Sequence, residues 1–154
     1  MSRAVDSSKS QGRVAILKRL KEHLLSQRDK FENYLNLLDK EEESIRSGNL
    51  EALRVQVELE KGIVEEIYAF QKVIDPLQDL YRVAYPTQDA DVPSIESSLE
   101  HLRIQVLTHN EHNRNLLRAA LADLRQEIKS LKMPKQAKSP YGDVDTPSVV
   151  DIRT

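Results

Sequence analysis

Five apolar residues stand seven apart near the start of the chain: Leu17, Leu24, Phe31, Leu38 and Ile45. Seven residues are close to two turns of α-helix, so all five lie along one line of one helix. A strand cannot use this pattern, because its side chains alternate with a period of two. The companion line of Leu20, Gln27, Tyr34 and Glu41 is half polar. The chain is therefore predicted to open with a coiled-coil-like helix, roughly 50 Å long at 1.5 Å per residue.

That helix ends at "RSGNLEAL". Gly48 can take the left-handed conformation that follows a helix C-terminus. Asn49 can then cap the next helix through its side-chain oxygen. So short a connection sends the second helix back antiparallel along the first. The second helix carries Leu53, Val57, Ile63, Val64, Ile67, Phe70, Ile74, Leu77, Leu80, Tyr81 and Ala84. Gly62 weakens it, and Pro76 removes a backbone hydrogen bond, so a kink or restart is expected at Pro76. "YPTQDADVPS" reads as a loop, with Ser94 as the cap of a third helix from about Ile95 to Lys132. The expected fold is all-α: an elongated antiparallel bundle of three long helices over residues 13–132. Residues 1–12 are expected to be disordered, and residues 133–154 to form a flexible tail.

Composition agrees. Charged residues make up 31% of 154, Gly numbers 4 and Trp is absent, a mix suited to long helices. Net charge is −2, which gives no bulk attraction to nucleic acid. The charge is uneven: residues 51–100 hold 4 basic and 11 acidic groups, and residues 101–154 hold 9 and 6. An acidic middle helix between two mildly basic ones favours antiparallel pairing, and solvated faces would look the same. With no cysteine there is neither a disulfide nor a thiolate metal site. No apolar run approaches the ~20 residues of a membrane span, and the N-terminus lacks a signal peptide's apolar core. A cytoplasmic protein without membrane insertion is expected.

The segment "THNEHNRN" concentrates histidine and asparagine. His109 and His112 can share a helix face, but a zinc site needs three or four ligands at short range. Glu111 points elsewhere, and His101 lies two turns away. No nucleotide loop, nucleophile elbow or HExxH stands in the sequence, and the carboxylates at Glu41–Glu43 read as a surface run. Neither a metal site, nor a cofactor, nor a catalytic residue is expected. A polar layer fits better. The apolar lines through Ile95, Leu99, Leu102 and Val106 reach His109 and Asn113, and Asn110 lies on an adjoining line. Buried asparagine in such a seam sets register at some cost in stability. Asn110 and Asn113 should be buried or bonded across helices, and His112 exposed.

Beyond that layer the apolar surface widens through Leu116, Leu117, Ala120, Leu121, Leu124, Ile128 and Leu131. One neighbouring helix needs a stripe of only ~100°. The excess is either buried between both other helices or left for a partner.

These features together resemble the FlgN-type flagellar export chaperones over roughly Val14–Gly142. The resemblance rests on "IRSGNLEAL" at a helix junction, "ELEKGIVEEI" after it, "NEHNRNLL" in an N-x-x-N-x-x-L-L pattern, and a late Tyr141–Gly142. Val144–Asp145 departs from the family's usual second glycine, and Gly62 and Pro76 interrupt helix two. The resemblance implies a non-enzymatic cytoplasmic bundle. It would bind the C-terminal helices of hook–filament junction proteins (FlgK- and FlgL-like), block premature assembly and deliver them to the export apparatus. Its C-terminal half would hold cargo, which assigns Leu116, Leu117, Ala120, Leu121, Leu124, Ile128 and Leu131 to the cargo face. Arg118, Arg125, Lys129 and Lys132 stand beside that face. A second reading is a helical scaffold outside secretion, with the Leu17–Ile45 line pairing two copies into a homodimer.

Overall fold

The structure, a computed structural model, describes residues 2–84 and 91–138, with side chains over 7–84 and 91–132. Three helices fill these ranges: α1 (Ser2–Ser47), α2 (Leu50–Ala84) and α3 (Asp91–Lys138). No strand occurs among the described residues, and the fold is all-α. The chain divides into two compact units, Met1–Arg114 and Asn115–Thr154.

In the first unit the α1–α2 junction forms as its residues dictate. Gly48 has φ +71°, and its N–H donates to the Ile45 carbonyl at 3.2 Å. The Asn49 N–H donates to the Ser44 carbonyl at 2.9 Å. These two bonds close a Schellman motif and satisfy carbonyls that the helix end would otherwise leave free. Asn49 Oδ1 then accepts from the Ala52 N–H at 3.2 Å, capping α2. The reversal makes α2 antiparallel to α1. Ser44 Oγ donates to Gln56 Oε1, Lys30 pairs with Glu66, and Gln27 Nε2 donates to Gln71 Oε1. The first part of α3 runs parallel to α1, with Lys21 on Asp91 at one level and Asn113 on Leu38 at another. It therefore runs antiparallel to α2, which it meets at Gln78 and Glu96.

The core is a file of apolar side chains along the helices. One cluster joins Leu20 and Leu24 to Ile74, Leu77, Tyr81, Val92 and Leu99. A second joins Tyr34, Leu38 and Val106, and Phe31 packs against both. Full burial of such a side chain contributes about 1.5–3 kcal/mol. The heptad lines of α1 are therefore consumed inside the chain. Leu24 and Leu38 are fully buried, so the Leu17–Ile45 line is not a free surface for a second copy.

The elements depart from expectation at four points. Residues 2–12, expected to be disordered, are helical. Once the packed part of α1 has nucleated a helix, each further turn adds a hydrogen bond per residue without a new nucleation cost. Residues 7–13 are accordingly helical while exposed. The helix does not restart at Pro76: α2 is one helix from Leu50 to Ala84, held on either side of the proline by buried Ile74, Leu77 and Tyr81. The start of α3 is Asp91 rather than Ile95. Pro93 sits in the first turn, where its missing N–H has no intrahelical acceptor to lose, and Val92 is buried. Finally, α3 continues past Lys132 to Lys138, through the start of the expected tail. In this stretch Gln136, Ala137 and Lys138 favour helix, while Pro134 opposes it.

Candidate functional site

Near the Gly48 turn the first unit exchanges its apolar core for polar side chains from all three helices. Asn113 is buried, and its Nδ2 donates to the Leu38 carbonyl on α1 at 2.9 Å. Its Oδ1 is buried without a hydrogen-bond partner. His109 lies half-buried one turn earlier. Its Nε2 is 3.1 Å from Glu42 Oε1 and its Nδ1 is 3.5 Å from Asp39 Oδ1. A neutral imidazole has one N–H and can serve one of these carboxylates; the imidazolium serves both. His112 is exposed, with Nε2 3.4 Å from the same Glu42 oxygen. Asn110 is half-buried. Arg46, hydrogen-bonded to Glu42, holds that carboxyl below the usual range, and the His109 contact acts in the same direction.

On the α1–α2 side of this end stand Glu41 and Glu60. Glu41 was expected within a surface run of carboxylates, but it is only 5% exposed. It occupies the companion heptad line that points inward. Its pKa is pushed up to about 7, first by burial, then by the charge of Glu60 and a hydrogen bond between the two. The Tyr34 hydroxyl is raised as well, chiefly by burial and then by Glu60. Two acidic groups facing one another across helices favour a shared proton over two charges. Ser44 with Gln56 and Gln27 with Gln71 complete a set of polar contacts that tie α1 to α2 at defined heights. Among the described residues, no group of three or more acidic or histidine side chains is placed to hold a metal ion.

The second unit presents a different surface. Leu117, Leu121, Leu124, Ile128 and Leu131 follow one another at intervals of four and three along α3. Leu116 and Leu117 are half-buried, and Ala120 is exposed. Leu121, Leu124, Ile128 and Leu131 are 45%, 49%, 45% and 73% exposed, high values for side chains of this size. The adjoining line through Leu116 and Ala120 runs into Asp123 and Glu127, so the apolar surface narrows to a single stripe. Arg118, Arg125, Lys129 and Lys132 are exposed around it. Tyr141 and Gly142 lie outside the described residues.

The stripe and His109, Asn110 and Asn113 were visible in the sequence. Gln27 and Glu41 carried a signal too, as polar residues on a heptad line. Asp39, Glu42 and Glu60 carried none, because their importance comes from helices meeting in one register.

Over 140 residues the chain is 32% identical to an "uncharacterized protein" of Treponema pallidum (strain Nichols), spanning 91% of this chain and 90% of that one. The chain belongs to the family of that treponemal protein. The match runs over almost the full length of both sequences. No family model matches it, and no solved structure does. Among the described residues, no helix of this treponemal-family chain is long and apolar enough to cross a membrane.

Proposed function

We infer that this protein is a cytoplasmic flagellar secretion chaperone. It binds the C-terminal helical region of hook–filament junction proteins, prevents their premature assembly and delivers them to the export apparatus. The observation that supports this reading is the exposed stripe on α3. From Leu117 to Leu131 it spans roughly 21 Å, about four turns of helix. A stripe of that length and width suits one amphipathic helix laid alongside. Export cargo must be kept from assembling through its own apolar helices, and covering one such helix achieves that. The basic side chains beside the stripe favour a cargo helix with an acidic flank and speed the encounter. The ordered motifs shared with FlgN-type chaperones support the same reading.

Co-purification tests it. With Leu121, Leu124 and Ile128 all replaced by Ser, a junction protein should no longer co-purify, while circular dichroism stays helical. Undiminished co-purification from a folded variant removes the stripe as the cargo site.

A further inference from the structure

A second open surface lies in the first unit, between α1 and α2. The apolar lining of this groove is Leu37, Leu59, Gly62 and Ile63. Asn33 and Lys40 edge it on α1, and Glu58 and Glu66 edge it on α2. Gly62 is the unexplained residue. Glycine is disfavoured inside a helix because it loses more backbone freedom than any other residue. Here its φ is not positive, and a Cβ built on it meets nothing within 4 Å. Nothing inside the chain requires the glycine. What it provides is a gap where another backbone can come close. Apolar side chains follow the same side of α2 at heptad-like spacing and stand in solvent: Val55 at 55%, Leu59 at 57%, Val73 at 39% and Leu80 at 52% exposed.

We propose that this groove is where two copies of the chain dock side by side, α1 of each over α2 of the other. The rims identify the occupant. The α1 rim carries Asn33 and Lys40, and the α2 rim carries two exposed carboxylates, Glu58 beside Lys61 and Glu66 beside Lys30. The Ser44–Gln56 and Lys30–Glu66 contacts set the register of α1 against α2, which brings Lys40 level with Glu58 and Leu37 level with Gly62. A two-fold axis along the groove preserves these heights. Lys40 then meets Glu58 of the second copy, and the relation is repeated by symmetry. The gap at Gly62 lets α1 of the second copy settle onto Leu59. An axis across the groove would instead lay the acidic rim over the acidic rim, which like charges oppose. The dimer uses none of the stripe on α3, so it stands or falls apart from the chaperone reading.

Sedimentation equilibrium on the full chain over a concentration series is expected to show a reversible dimer. Gly62→Leu fills the gap and should raise the dissociation constant roughly tenfold or more. Its thermal midpoint, read on dilute protein, should hold or rise. Lys40→Glu and Glu58→Lys should each weaken the dimer, and the two together should restore it. A wild-type chain that stays monomeric overturns the proposal and leaves the groove to a helix of another protein. A dimer that a folded Gly62→Leu leaves untouched overturns it as well. If Gly62→Leu does not fold, the charge pair decides, and a double variant no better than the singles overturns the proposal.

Discussion

Glu41 shows how much a single position depends on what faces it. On α1 alone it is one of three consecutive glutamates, and any of them could have been solvated. The inward heptad line buries it and sets it against Glu60, and its pKa rises to about 7. Because the folded chain holds this proton more tightly than the unfolded chain, folding takes up a proton. Stability should therefore increase as pH falls through about 7, and the gain is complete below the unfolded value of 4.5. Urea unfolding from roughly pH 8 to roughly pH 6 should show the midpoint climbing as the medium acidifies. Glu41→Gln should be more stable than wild type at the alkaline end and should flatten that dependence. A variant with the wild-type slope would show that Glu41 is not the group responsible. The unpartnered Asn113 Oδ1 belongs to the same scale: its residue holds α3 to the Leu38 carbonyl at the cost of one unmet hydrogen bond.

Among the elements, α2 is built against its own propensity. It holds Gly62 and Pro76 in its interior yet remains helical from Leu50 to Ala84. Packing overrides propensity here, because Ile74, Leu77 and Tyr81 are buried against the other helices on both sides of the proline. Removing the local penalty should then stabilise the molecule without altering contacts. Gly62→Ala places its methyl in open space and should raise monomer stability by about 1 kcal/mol, read by denaturant unfolding of dilute protein. A loss of stability would mean that the glycine relieves a strain inside the chain. By contrast α1 and its turn follow their residues closely. The heptads made α1 a helix, and Gly48 and Asn49 ended it and began the next where their conformational preferences require.

At the scale of the molecule, leucines of one chemistry fall into two classes. Leu24 and Leu38 are buried in the first unit, and Leu124 and Leu131 stand exposed in the second. Leu24→Ala or Leu38→Ala should cost about 2–5 kcal/mol, from lost transfer energy and the cavity left behind. Leu131→Ala should stay within about 0.5 kcal/mol. Thermal or denaturant unfolding separates the classes, and equal losses at Leu38 and Leu131 would show that the stripe is covered within the chain. The sequence by itself determined the helical class, the turn at Gly48, the apolar heptad line of α1 and which α3 residues are apolar. These depend on period and local backbone preference, which neighbours in sequence set. It did not determine that α1 begins at Ser2, that α2 passes through Pro76, or that Glu41 meets Glu60 and His109 meets Glu42. Only the tertiary structure decided these, because each depends on the register in which whole helices pack. That register is a sum over many side chains distant in sequence, and a single pair carries no mark of it beforehand.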